Sequence, residues 1–293
     1  MLWIILTAAA APLQVARNAL QRGLVGDAGP WGATLVRFLF GLPFSLAIFA
    51  VVALMTPGAA AHPSLRFGIA VTMGALAQMG ATAALLVAMR RSGFAVATVM
   101  QQSSLPLSAL IGWAVLGDRI GAQSWTGIAI TTLGLGILSW PRPDQIKGAT
   151  LGAAMGLTSG LAFAVALNAY RQAGLALEPH HAIYSATASV CVAQALQTLV
   201  LGSALAFWRP AALAAVAKSW RPSLGAGFFG ASASACWFAA LALAPAGPVR
   251  AVGIIETPIA AAAGRRLFNE RLSPRQLAGG LLAATGVVLT ALG

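Results

Sequence analysis

A chain of 293 residues that is 59% hydrophobic and only 8% charged, with a mean hydropathy of +0.83, is not a soluble globule, because soluble domains carry about 25% charged residues. The formal charge of +12 does not mark a nucleic-acid binder; the basic residues stand singly or in pairs between apolar runs, where they anchor helices to lipid headgroups. A spanning helix takes about 20 apolar residues, so the length accommodates ten spans with short connections and no large soluble domain.

The first apolar run, 2–24, follows Met1 without the charged n-region of a signal peptide and reads as a span. Gln14, Arg17, Asn18 and Gln21 fall at i, i+3, i+4 and i+7, one polar stripe on a helix. Such a stripe avoids lipid, which makes the four candidate substrate residues; the competing reading is a helix end whose Arg17 snorkels to headgroups. The breaker Asp27-Ala28-Gly29-Pro30 precedes a second helix, 31–54. Its Arg37 lies about 10 Å in, at about 1.5 Å per residue, a depth at which a cation needs a carboxylate or an anionic substrate. Thr56-Pro57-Gly58 leads to the third helix, 66–89, with Gln78, and Arg90-Arg91-Ser92-Gly93 to the fourth, 94–117. There Gln101, Ser104 and Ser108 share a face, and Pro106 is predicted to kink the helix by freeing a carbonyl one turn earlier.

The fifth helix, 123–140, runs into Trp140-Pro141-Arg142-Pro143-Asp144, the most polar stretch, which divides the chain nearly in half. The sixth, 148–173, holds Asn168; the seventh, 181–207, holds Gln194 and Gln197; the eighth, 223–243, holds Trp237. Glu178-Pro179, Arg209-Pro210 and Arg221-Pro222 bound them. The amides suit amino and carboxylate groups and Trp237 offers a face for stacking, although any one of them is more often a helix-helix hydrogen bond or packing residue than a ligand. The ninth helix, 247–268, carries Glu256, the one carboxylate far from a predicted helix end, with Pro258 two residues on as a second kink; the tenth is 275–292. For Glu256 two readings stand open: an acid that exchanges a proton with the substrate, and a permanent ion pair with Arg17, Arg37 or Arg250.

Cys191 and Cys236 lie inside apolar runs without C-x-x-C spacing, and His180-His181 lack further ligands at metal spacing, so no metal is expected. H-E-x-x-H, G-x-S-x-G and G-x-x-x-x-G-K-[S/T] are all absent, so the sequence gives no sign of an enzyme, an ATP-driven pump or a cofactor.

The chain repeats itself. At a constant offset of 152 residues, and without a gap, Leu105-Pro106-Leu107-Ser108-Ala109 faces Thr257-Pro258-Ile259-Ala260-Ala261, and Gly112 meets Gly264. Asp118 meets Glu270, Arg119 meets Arg271, Gly127 meets Gly279 and Gly134 meets Gly286. Ser104 occupies the position of Glu256, and Ala16-Arg17-Asn18-Ala19 is echoed more weakly by Ala166-Leu167-Asn168-Ala169. A repeat of five spans is odd-numbered, so the second copy enters the membrane from the opposite side, which yields an inverted repeat capable of alternating access.

The duplicated pattern, Pro, small residues, Gly, then Gly117-Asp118-Arg119-Ile120 and Asn269-Glu270-Arg271-Leu272, resembles the EamA-type family of the drug/metabolite transporter superfamily. The resemblance implies an all-α integral membrane protein of ten transmembrane helices, with repeats at 1–146 and 147–293. It also implies a central cavity and transport of an amino acid or other small metabolite, commonly export; the polar residues above lead to the expectation that the first, third, fourth, sixth, eighth and ninth helices line that cavity, and a bacterial inner membrane is the expected location. The expected partners are that small molecule and the bilayer. G-x-x-x-G patterns such as Gly152 to Gly156 leave monomer and homodimer equally open. Orientation is in conflict: 12 of the 18 basic residues lie in odd-numbered connections, which places the termini outside the cytoplasm, whereas the resemblance implies termini inside.

Overall fold

The computed structural model describes residues 1–138, 146–268 and 273–292, and the regular elements among them are all helices. Each of the ten apolar stretches is helical. In chain order they are α1 (Leu2–Leu39), α2 (Leu42–Met55), α3 (Leu65–Ser92), α4 (Phe94–Gln101), α5 (Ser104–Leu116), α6 (Ala122–Leu138), α7 (Ile146–Leu177), α8 (Ala182–Trp208), α9 (Pro210–Lys218), α10 (Trp220–Leu243), α11 (Ala246–Val252), α12 (Glu256–Phe268) and α13 (Pro274–Leu292). Five segments are long and apolar enough to cross a membrane: Ala28–Met55, Leu65–Ser92, Leu151–Leu177, Ala182–Trp208 and Trp220–Leu243. The motif Asn269 to Leu272 and the breaker Trp140 to Asp144 lie outside the described residues.

Local chemistry accounts for the boundaries. The break expected at Asp27 to Pro30 is a sharp bend within α1 at Gly29, with φ 69° and ψ 174°, a conformation essentially confined to glycine. Pro30 also disfavours helix at the residue before it. The second expected helix, 31–54, is interrupted by a turn at Phe40-Gly41 before α2 begins with Pro43 in its first turn. Residues 209–222 were expected to be a connection but include α9, which starts on Pro210 and runs through Ala211-Ala212-Leu213-Ala214-Ala215; proline at the first position and alanine thereafter favour a helix.

The fourth and ninth expected helices are broken rather than merely kinked. Gln102 and Ser103 separate α4 from α5, and a 3₁₀ turn, Gly253–Ile255, separates α11 from α12. Pro106 and Pro258 each sit third in the helix that follows, where an absent N–H costs nothing. The carbonyl of Gln102, one turn before Pro106, accepts the N–H of Leu105 at 2.9 Å, so the break satisfies the group that a kink would have left bare.

Two compact units form, and each draws on both halves of the sequence. The first comprises Met1–Met79 and Ala166–Leu243. Here α1 packs mainly on α10, with α8 and α9 alongside, around a core that includes Leu35, Val36, Phe38, Leu201, Leu205 and Val216. Gly41 and Gly227 allow α10 to meet the turn before α2 backbone to backbone: a Cβ on Gly227 would lie 2.8 Å from the Gly41 nitrogen.

The second unit comprises Gly80–Val165 and Ala244–Gly293. Its broken helices interlock, α4 packing on α12 and α11 on α5, while α6 packs along α13. A Cβ on Gly127 would fall 2.6 Å from the Gly286 carbonyl oxygen, and one on Gly134 would fall 2.7 Å from that of Gly279. The Thr131 hydroxyl, midway, reaches the Ala283 carbonyl at 3.4 Å. As one helix number rises the other falls, so α6 and α13 are antiparallel. The offset of 152 exchanges the two glycine pairs and maps Thr131 onto Ala283, so this packing has local two-fold symmetry.

Candidate functional site

The candidate substrate and coupling residues are buried: Gln14, Arg17, Asn18, Gln21, Arg37, Gln78, Gln101, Ser104, Asn168 and Glu256, together with Trp237. They fall into two groups, one in each compact unit.

In the first unit the α1 stripe lies inward along its whole length. Gln21 donates from Nε2 to the Ala33 carbonyl at 2.7 Å, a bond that spans the Gly29 bend and ties the two segments of α1 together. Arg17 donates to Asn18 Oδ1 from Nε at 3.2 Å and from a terminal nitrogen at 2.6 Å. Arg37, in the last turn of α1, donates to Ser234 Oγ of α10 at 3.2 Å and stacks 5.3 Å from the Phe38 ring centre. Both arginine stems run against Gly230, where a Cβ would meet Arg37 Cγ at 3.1 Å and Arg17 Cδ at 3.3 Å.

A second polar network in the same unit joins three helices. Tyr170 donates to Gln78 Oε1 at 2.9 Å, and Gln197 Nε2 donates to the same oxygen at 2.8 Å and to the Tyr170 hydroxyl at 3.1 Å. Gly74 makes room for the tyrosine ring, for a Cβ there would lie 2.6 Å from it. Ser45 donates to Gln194 Oε1 at 2.8 Å. Tyr170, Ser45 and Ser234 were not foreseen. Tyr170 carried a legible signal, as one of only two tyrosines and two residues from Asn168 within an apolar run; Ser45 and Ser234 carried none.

In the second unit Ser104, Glu256 and Arg250 come together. Arg250 lies 3.5 Å from Glu256 Oε2, donates from Nε to Ser104 Oγ at 2.8 Å, and donates to Gln102 Oε1. One guanidinium thus bridges the break between α11 and α12 and holds the break between α4 and α5. The sequence position that pairs Ser104 with Glu256 across the repeat therefore places both on the same cation. Of the three arginines considered as ion-pair partners of Glu256, Arg250 is placed beside it. Gln102 was not singled out, and Arg250 entered only as one of three possible partners.

At the edge of the first unit the Glu178 carboxylate accepts the His180 N–H at 2.9 Å and lies 3.6 Å from His181 Nδ1, and the first of these holds its carboxyl below the usual range. No group of three or more His, Cys, Asp or Glu placed to hold a metal occurs among the described residues. Both cysteines are free thiols.

The segment that bears the polar stripe, Arg37, Gln78 and the first broken helix matches the EamA-like transporter family over residues 1–140. The match spans α1 to α6. One solved crystal structure has the same fold at a TM-score of 0.66, covering 99% of this chain and 96% of its own at 16% identity. No match is found among curated proteins.

Proposed function

We propose that the EamA-like chain is a secondary transporter that moves a small metabolite, an amino acid or a related compound, out of a bacterial cell through the inner membrane. It does so by alternating access between two inverted repeats, 1–146 and 147–293, that together span the bilayer ten times. The observation that carries this reading is the two-fold pairing of Gly127 with Gly286 and of Gly134 with Gly279 on antiparallel helices. If α6 and α13 cross a bilayer, the axis that relates them lies in its plane, the symmetry that lets two halves exchange conformations. The interlocked breaks before Pro106 and Pro258 support it further, since discontinuous helices at repeat-related positions are what such carriers use to handle a substrate.

No nucleotide-binding loop is present in the sequence, so a substrate or proton gradient supplies the driving force. In this reading Glu256 is the coupling acid, and taking up a proton releases it from Arg250. The test is uptake of radiolabelled metabolites into proteoliposomes, with and without a pH gradient. A saturable flux that an internal substrate pool accelerates is the expected result. Flux that never saturates and shows no counterflow would indicate a channel, and no flux across a broad panel would leave a membrane scaffold.

A further inference from the structure

We infer that α9 lies in the plane of the membrane–water interface and that Arg209, Lys218 and Arg221, at its two ends, bind the headgroups of anionic phospholipids. The inference concerns the first unit alone and does not depend on the transport reading.

The tripeptide Trp-Arg-Pro occurs twice, at 208–210 and again at 220–222, and α9 is bracketed by the two copies. Each copy stands at the end of an apolar helix long enough to cross a membrane, for Ala182–Trp208 ends on the first and Trp220–Leu243 begins on the second. The nine residues of α9 reach about 14 Å at 1.5 Å each, less than half of a hydrocarbon core of about 30 Å. A connection that short cannot cross back, so the chain leaves and re-enters the bilayer on one face and α9 runs along it.

The two sides of α9 fit that place. Val216 is buried in the core with Ala28, Leu35 and Leu205, and Ala212, Leu213 and Ala215 pack around it. Gly32, just past the bend of α1, admits this side: a Cβ there would lie 3.3 Å from Val216 Cγ2. On the other side Ala211, Ala214, Ala217 and Lys218 are exposed, and the alanines are too small to keep a headgroup from the basic residues. Trp208 is 81% exposed, Trp220 48% and Trp31, next to Gly32, 47%. Tryptophan gathers at headgroup depth because an apolar ring carries one polar N–H.

Charge selects the lipid. Between Glu178 and Glu256 the chain has no acidic residue, and among the described residues no ion pair engages Arg209, Lys218 or Arg221. All three are exposed, and the Arg221 guanidinium lies 5.3 Å from the centre of the Trp220 ring, which holds it at the depth of that ring. Guanidinium N–H pairs match phosphate oxygens, and basic residues at a surface gain attraction from lipids of net negative charge that zwitterionic lipids do not supply.

Full-length protein is reconstituted into bilayers of equal phosphatidylglycerol and phosphatidylcholine, with dibrominated chains on one lipid or on the other, since bromine quenches tryptophan only at close range. Brominated phosphatidylglycerol should quench more than brominated phosphatidylcholine, and the ratio of the two reads the local preference. Trp208→Phe with Trp220→Phe should remove most of that excess, which places it at α9. Each of Arg209→Gln, Lys218→Gln and Arg221→Gln should lower the ratio about two- to fivefold or to unity, and the triple variant should bring it to unity. High salt should act in the same direction. Arg90→Gln with Arg91→Gln, which removes an exposed basic pair at the end of α3, should leave it unchanged. Should the triple variant fail to fold, the three single variants carry the test. The inference is overturned if the two brominated lipids quench equally, if the excess survives loss of Trp208 and Trp220, or if the basic variants keep the native ratio.

Discussion

The packing of α6 on α13 makes a quantitative prediction. A Cβ on Gly127 would stand 2.6 Å from the Gly286 backbone oxygen and one on Gly134 would stand 2.4 Å from the Ala283 backbone nitrogen, where ordinary contact begins at 3.4 Å, so the alanines need about 0.8 Å and about 1.0 Å of backbone retreat. Backbone on both sides cannot rotate out of the way as a side chain would, and overpacking of this kind costs about 1–3 kcal/mol. Each of Gly127→Ala and Gly134→Ala should therefore destabilise the protein by about 2 kcal/mol in an SDS titration from mixed micelles. The two sites share one helix pair, so the separation that admits the first methyl largely admits the second. The double variant should cost at least about 1 kcal/mol less than the sum of the singles. Gly136→Ala is the internal control, because a Cβ there meets nothing within 4 Å; its effect should stay within about 0.5 kcal/mol. Additive costs, or a Gly136 variant as damaging as the others, would refute the close two-fold contact.

Two further outcomes are expected. Glu256→Gln and Arg250→Gln each leave one member of a buried ion pair without its counter-charge, so each should lower stability by several kcal/mol, of the order of 3–5, with the double variant recovering part of the loss. For folded Glu256→Gln, accumulation driven by a pH gradient should vanish while counterflow persists, and unimpaired proton-driven accumulation would remove the coupling role. Gly29→Ala forces a side chain into a backbone conformation that glycine alone adopts freely, and should cost about 1–3 kcal/mol in the same unfolding assay; a neutral result would mean that α1 straightens when the glycine is lost.

What the sequence determined by itself is what depends on near neighbours. Apolar run length and the breakers at Gly29-Pro30, Thr56-Pro57, Ser92-Gly93, Glu178-Pro179 and Arg209-Pro210 set where helices begin and end, since backbone dihedrals and first-turn donors are local matters. The duplication at 152 residues was legible for the same reason, and so was the inward burial of the stripe from Gln14 to Gln21, which needs only helical periodicity and the cost of polar groups in lipid.

Which polar groups meet was decided by the tertiary structure alone. Nothing near Ser104 in the chain points to Arg250, 146 residues on, and nothing near Gln78 points to Gln197 or Tyr170. Lipid is as apolar as the helices, so hydrophobicity does not choose helix partners; close approach at small residues and specific polar bonds do. The breaks in the fourth and ninth helices show the limit well. Proline announced a disturbance at each, but whether it became a kink or a gap depended on partners from elsewhere: the Arg250 side chain bonded to Gln102 and Ser104, and the crossing of α4 with α12 and of α11 with α5. The two compact units likewise take helices from both halves of the chain, because contacts follow that packing and not sequence order.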